Sequence, residues 1–385
     1  MMIVLMRAQN LTNLLKSPRF SQPQLEVAVS NIINLHMTAD QARKGLRSKE
    51  FTIFLNHGRL RNVTEPVDRV WGFLGLAHAE LREAAKPLIS YSTETRRDFY
   101  KAYADMGRLL LLRDPDLCLL SIAPSANKPP GMPSWCPNFH AAAIHGNPLQ
   151  DRMRFPFHAG VGRNEIGKSP EVKFGSDNPN ILMLRGFRFD TIDKIAKLDF
   201  SPANSWEEER LQTAPQEKMA LWEQQCLAIA RSVFHRRIFS SDIPDAHMRT
   251  MLMDSLADEP QRSSRKAYAN FRKFTNDFKN KYPAGFTTDE LAAVLRVQGI
   301  VSTASVSRAY FSTVGGRVGL GPRNIESGDT VCIVHGAKLP YVLRFKPGGG
   351  SGSSSCEFMG DAYVDGVMYG EALKKSAQSE VFSIS

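Results

Sequence analysis

Ile181-Leu182-Met183-Leu184-Arg185-Gly186-Phe187-Arg188-Phe189 decides how the rest of this sequence is arranged. Ile181, Met183, Arg185, Phe187 and Phe189 alternate with Leu182, Leu184, Gly186 and Arg188. That is the two-residue period of a strand, apolar on both faces in its first half, so the run reads as an interior strand. Helical patterns follow it, and a single strand among helices could not pair its backbone N–H and C=O groups. Its partners must come from elsewhere in the chain. They are found from about 308 onward, where Tyr310–Val314, Thr330–His335, Tyr341–Phe345, Glu357–Met359 and Tyr363–Val367 are rich in β-branched and aromatic residues and separated by turn chemistry. The expected fold is therefore α+β: an N-terminal helical segment, then a small antiparallel β barrel or sandwich built from discontinuous segments, with a helical insertion.

The divisions that follow are 1–115 helical, 116–180 a Pro- and Gly-rich extended connector, 181–204 the first strand or strands of the β-module, 205–306 the helical insertion, 307–375 the remaining β-module and 376–385 a tail. In the first segment the clearest helix spans about 93–113. Ser92 or Thr93 caps it, Glu94 and Asp98 suit the positive end of its dipole, and Phe99, Tyr103, Met106 and Leu110 form its apolar stripe. Pro124, Pro129, Pro130, Pro133 and Pro137 deny helix to the connector, which reads as a surface segment. In the insertion a helix beginning at Pro215 carries Met219, Trp222, Cys226, Ile229 and Val233 at helical spacing. Its last helix has a capping box, Thr287 with Glu290, and Gly299 suits the left-handed residue after a C-terminus.

The 385 residues include 49 Lys and Arg against 39 Asp and Glu, a formal charge of +10, which makes an anionic partner a question to ask first. The densest basic block is 262–281, where Arg262, Arg265, Lys266, Arg272, Lys273, Lys279 and Lys281 face only Asp277. Tyr268, Phe271, Phe274, Phe278 and Tyr282 are interleaved with them, a mixture able to stack bases and grip phosphates. These aromatics recur every three or four residues, however, so the favoured reading is a core stripe backed by a solvated basic face. Nucleic-acid or anionic-surface binding through this helix is kept as the alternative.

No apolar run is long enough for a membrane span or a signal peptide, which makes cytoplasm the expected location. Five cysteines, at 118, 136, 226, 332 and 356, are neither paired nor clustered, as expected for free thiols in a reducing compartment. Cys136 with His140 and His145 is the one local suggestion of a metal, outweighed by the lack of a partner pair at ligand spacing. Gly348-Gly349-Gly350-Ser351-Gly352-Ser353 lacks the Gly-Lys-Ser/Thr and following helix of a phosphate loop and reads as a flexible hairpin. Gly315-Gly316-Arg317-Val318-Gly319-Leu320-Gly321-Pro322 similarly reads as turn glycines, not a dinucleotide fingerprint. His335 reads as a sheet-edge residue. No nucleophile motif is present, so no catalytic, cofactor-binding or metal-ligating residue is singled out and no cofactor is expected.

Asp68-Arg69-Val70-Trp71-Gly72-Phe73-Leu74-Gly75-Leu76 resembles the end of the fungal heterokaryon incompatibility (HET) domain, where an Asp-Arg-Val-Tyr-Ala-Leu-Leu-Gly-Leu type of block is usual. Further resemblances follow in order. They are Tyr91 with Phe99-Tyr100; Pro133-Ser134-Trp135-Cys136-Pro137; Arg308, Phe311, Thr313, Gly316, Gly319-Leu320-Gly321-Pro322 and Gly328-Asp329; Gly336 and Pro340-Tyr341-Val342-Leu343-Arg344; and Gly360-Asp361-Ala362-Tyr363-Val364-Asp365-Gly366 through Ala372. The Tyr-x-x-Leu-Ser-Tyr-x-Trp-Gly and Ile-Asp-x-x-Cys-Ile-x-Gln blocks that normally open such domains do not occur. The resemblance therefore implies a chain truncated at its N-terminus, with 1–115 the helical remnant of the HET domain. Asn138 and Asp365 replace a usual Asp and a common His. The implied process is fungal non-self recognition leading to programmed cell death, with this chain as scaffold or partner-binding element, through a protein partner or self-association. HET domains resemble TIR domains, some of which consume NAD. The resemblance places the segments for such a site upstream of Met1, so a TIR-like NAD-consuming enzyme completed elsewhere is the second alternative.

Overall fold

A computed structural model describes residues 44–59, 63–114, 116–124, 128–141, 157–162, 169–198, 215–234, 243–256, 260–276, 285–305, 308–346, 354–374 and 378–385. The N-terminal layer contains helices α1 (Ser48–Gly58), α2 (Ala79–Ala85), α3 (Thr93–Arg97), α4 (Phe99–Leu111) and α5 (Cys118–Ser121). Ser92 Oγ accepts the Thr95 N–H as expected of a cap, but the single helix expected over 93–113 is broken at Asp98, whose φ of −105° and ψ of 46° are not helical. The stripe survives the break: Tyr103, Met106 and Leu110 are all fully buried.

Nine strands form one connected sheet: β1 (Val172–Phe174), β2 (Leu182–Lys197), β3 (Arg308–Thr313), β4 (Val318–Pro322), β5 (Thr330–Val334), β6 (Tyr341–Phe345), β7 (Ser354–Asp361), β8 (Tyr363–Val364) and β9 (Glu380–Ile384). The isolated strand does find its partners in the C-terminal region. It is 16 residues long and pairs with β1 and β9 through its first half, with β5 through its middle and with β3 through its end. Register shifts between Arg188 and Asp190 and between Ile192 and Ile195 bend it enough to serve all four.

Pairing runs from β2 to β5, β6, β7, β9 and back to β2, a closed ring of five strands. Adjacent strands cannot alternate direction all the way around an odd ring, so at least one pair must be parallel. That pair is β7–β9. The module is thus antiparallel, as expected, in every other pairing among the described residues. The expected 376–385 tail is corrected: Glu380–Ile384 is the strand that closes the ring, with Phe382 and Ile384 buried.

Side-chain alternation places apolar groups on both sides of these strands. Val331 and Ile333 of β5 join Phe187, Ile192, Phe311, Ile325, Val342, Met359 and Val364 in an inner core. Cys332 and Val334, one residue out of phase, face the N-terminal helices together with Leu182, Leu184, Tyr341, Leu343, Phe358 and Phe382. Tyr310, Val318, Leu320 and Tyr363 face the inserted helices. Each large side chain removed from water contributes about 1.5–3 kcal/mol, so two helical layers stabilise the strands from outside as an inner core does from within.

The inserted helices are α6 (Pro215–Phe234), α7 (Asp245–Leu252), α8 (Gln261–Asn276) and α9 (Thr288–Ser305). The α9 capping box forms as expected, with Thr287 N–H donating to Glu290 Oε2 at 3.1 Å and Glu290 N–H to Thr287 Oγ1 at 3.3 Å. Gly299 does not end this helix, which continues to Ser305.

The connector departs from the expected surface path. Trp135, Cys136 and Phe139 have no exposed surface, and Trp135 Nε1–H donates to the Asn180 carbonyl at 2.7 Å. Ser134 Oγ accepts the Phe358 N–H at 2.9 Å and donates to the Ser385 carbonyl, so the proline-rich element fastens the helical layer to β7 and the end of β9. The prolines exclude helix, the chain turns at Ser134–Trp135 with Cys136 N–H donating to the Pro133 carbonyl at 3.1 Å, and the tryptophan supplies the anchor.

Candidate functional site

The candidate residues read from sequence do not converge. Cys136 is buried with its thiol pushed up to about 12 by burial, whereas His140 is exposed and its ring lies 5.4 Å from that of Phe99; His145 lies outside the described residues. Gly348 to Ser353 also lie outside them. Gly315 and Gly316 form the turn between β3 and β4, as expected. His335 follows β5 and meets Ser379 Oγ at 3.0 Å.

In α8, Tyr268, Phe271 and Phe274 are buried. Of the other α8 side chains, Arg265 pairs with Asp245, Lys266 with Glu290 and Arg272 with the buried Glu223, while Lys273 lies over the Phe286 ring. Residues 277–281 of the basic block are outside the described residues.

What the structure does bring together was missed. Glu223 of α6, His247 of α7, Tyr268 and Arg272 of α8 and Tyr310 of β3 meet where the inserted helices rest on the strands. Glu223 Oε1 lies 3.1 Å from His247 Nε2, 3.1 Å from Tyr268 Oη and 2.8 Å from Arg272 Nε, the last an ion-pair contact without hydrogen-bond alignment. His247 Nδ1 lies 3.1 Å from Tyr310 Oη. Glu223, His247, Tyr268 and Tyr310 are each at most 1 % exposed.

Burial is the largest influence on His247 and pushes it down, against the pull of Glu223, so the ring is neutral near pH 7. Burial alone would push Glu223 up, but the hydrogen bond and charge of His247 and the charge of Arg272 outweigh it and hold the carboxyl below its ordinary value. The carboxylate 3.1 Å from Nε2 favours the tautomer that carries its proton there, with Tyr268 Oη also 3.0 Å from that nitrogen. Nε2–H donates to Glu223, Nδ1 accepts the Tyr310 hydroxyl, and Tyr268 donates its own proton to Glu223. The hydroxyls and ring nitrogens at the junction of α6, α7 and α8 with β3 are then matched, while Arg272 Nε meets Glu223 through charge alone. A carboxylate–imidazole pair is chemically competent for proton transfer, but one sealed from solvent on every side acts here as a lock between layers.

A second tie lies nearer the surface. Arg249 of α7 donates Nε to Asp365 Oδ1 at 2.7 Å and Nη2 to Oδ2 at 2.9 Å, joining the insertion to the turn after β8. Asp254, at the left-handed end of α7 (φ 54°), accepts the Tyr363 hydroxyl at 2.8 Å. One group with metal-ligand potential, Asp114, Asp116 and Cys118, is explained by local structure. Asp114 accepts the N–H groups of Asp116 and Cys118, and Asp116 pairs with Lys49 and Lys338 at 3.1 and 2.6 Å.

The Het-6 β-barrel domain matches residues 179–384, a span that begins just before β2 and closes on the last residue of β9. The chain belongs to the Het-6 β-barrel family. Its barrel therefore includes the inserted helices and the polar lock as well as the strands. The Neurospora crassa protein "Heterokaryon incompatibility protein 6, OR allele" is 26% identical over 364 aligned residues, covering 83% of this chain and 50% of that protein. The chain thus spans about half the length of the curated relative it matches. No solved structure matches it. Among the described residues no helix is long and apolar enough to cross a membrane.

Proposed function

We propose that this Het-6 barrel chain acts in fungal heterokaryon incompatibility, as a scaffold or partner-binding element of the non-self recognition that ends in programmed cell death. The process comes from the likeness to the Neurospora protein over most of the chain. The single structural observation that supports a scaffold is the way the interior of the barrel is used. Phe187, Phe311, Ile333, Val342, Met359 and Val364 fill it with packed side chains, and both outer faces of the sheet carry helices. A barrel filled in this way presents its outer surface and loops to a partner. The paired cations of α8 do not favour the nucleic-acid alternative.

The test is genetic. The gene is replaced by a divergent allele in one of two otherwise compatible strains, and heterokaryon growth is scored. Arrested or dying fusion cells are expected, with rescue when Gly186→Val disrupts the barrel of one allele. Fusion cells that grow normally whatever the allelic combination overturn the reading.

A further inference from the structure

The N-terminal layer holds two buried arginines and a half-buried lysine that neither the barrel nor its lock uses. Arg69 donates through Nη1 to the carbonyls of Gly58 and Arg59, at 3.0 and 2.8 Å, where α1 ends. Arg59 donates through Nη2 to the Ile122 carbonyl at 2.8 Å, just after α5, and its guanidinium lies 5.2 Å from the centre of the Phe139 ring. Lys128 Nζ donates to the carbonyls of Pro133 and Ser134. Arg59 and Arg69 are 5 % and 8 % exposed.

All three cations thus face backbone carbonyls, and among the described residues no carboxylate forms an ion pair with any of them. Helix C-termini carry about half a negative charge each, so the two that receive the arginines do not balance three ammonium and guanidinium groups. A buried ion left uncompensated costs several kcal/mol. The Nε–H groups of both Arg59 and Arg69 are buried with no acceptor among the described residues. The charges also act on one another. Burial, helped by Arg69, pushes Arg59 down to about 10, and burial, helped by Arg59, pushes Lys128 down to about 8.

We propose that Arg59, Arg69 and Lys128 form a binding site for a small oxyanion, a phosphate group or a carboxylate. Such a group supplies acceptors for the two Nε–H donors that have none among the described residues, and charge for arginines that there face carbonyl dipoles. Guanidinium forks suit the paired oxygens of both ligand types.

The test uses the full chain at pH 7 and constant ionic strength, titrated with inorganic phosphate, ADP or acetate while melting temperature and binding heat are followed. A saturable rise in Tm with matching heat is expected for at least one of the three. Binding of phosphate or ADP without acetate identifies a phosphoryl ligand, and binding of acetate alone identifies a carboxylate. Arg59→Gln and Lys128→Gln are each expected to weaken that binding about tenfold or more. The Lys128 variant decides the matter should the more buried Arg59 variant fail to fold. No saturable binding of any of the three, or affinity unchanged in the folded variants, overturns the site.

Discussion

Arg249 and Asp365 meet side by side, two nitrogens to two oxygens at 2.7 and 2.9 Å, across the seam between α7 and the turn that follows β8. The Arg249 side chain is 43% exposed and that of Asp365 14% exposed, so water screens part of the attraction. A coupling energy of about 1 kcal/mol is expected from a double-mutant cycle of Arg249→Ala and Asp365→Ala in urea unfolding. Strict additivity would show that the pair contributes nothing to holding the insertion on the barrel.

His247 makes the barrel sensitive to acid. Its folded-state pKa lies below the ordinary 6.5, so below that value the unfolded chain takes up a proton that the folded chain resists. Stability is therefore highest above pH 6.5 and falls as pH drops through the interval between 6.5 and the lower folded value. Glu223, also depressed, adds a further loss only at more acidic pH, below its ordinary 4.5. Urea midpoints from pH 8 to 5 should show the decline, and His247→Gln should flatten it. A wild-type midpoint that stays constant over that range would contradict the buried neutral ring.

Removing one member of the lock costs more than removing the surface pair. Glu223→Leu leaves His247, Tyr268 and Arg272 without their shared acceptor, and a loss of about 3 kcal/mol or more is expected, since one partner of a buried ionic contact is being withdrawn. Chemical denaturation measures it. A loss under 1 kcal/mol would mean the contacts are dispensable.

Gly186 is the residue of β2 paired on both edges at once, with Glu380 of β9 and Val334 of β5. A Cβ there would overlap the Ile333 carbonyl oxygen and press on the Phe382 ring at 2.9 Å, so any side chain separates the ring at its junction. Gly186→Ala is expected to destabilise by at least about 2 kcal/mol, seen as a lower urea midpoint and faster proteolysis. At Gly360, φ is +144° and a Cβ would lie 2.5 Å from Pro322 Cγ and 2.6 Å from Pro124 Cγ. A comparable loss follows for Gly360→Ala.

Deleting residues 380–385 removes the strand between β7 and β2 and with it Phe382 and Ile384. The deletion leaves two strands with unpaired edges and is expected to abolish cooperative unfolding. A truncated chain with a wild-type melting curve would show that the ring is not needed.

Glu223 shows how a functional feature can be present in a pattern and still be passed over. It stands on the same helical face as Met219 and Cys226, so a carboxylate occupies a core position of α6, and that mismatch was the available signal. Its partners come from α7 and α8, as much as 49 residues away, and no local spacing connects them. The connector was misread for a related reason. Prolines disfavour helix, but non-helical backbone can be buried wherever a tryptophan and a serine hydroxyl tie it down, as Trp135 and Ser134 do. The Glu380–Ile384 strand was hidden by its short length and by the polar residues that precede it.

Periodicity in the chain by itself determined the main helices and most of the strands, that β2 is interior, and that most of its partners lie more than a hundred residues on. Each of those conclusions depends on side chains within one turn or one pleat of each other. Ring closure, the parallel β7–β9 pair and the Glu223–His247 contact were decided only by the tertiary structure. They depend on which distant edges and side chains finally meet, and that choice is set by the burial of three cores at once.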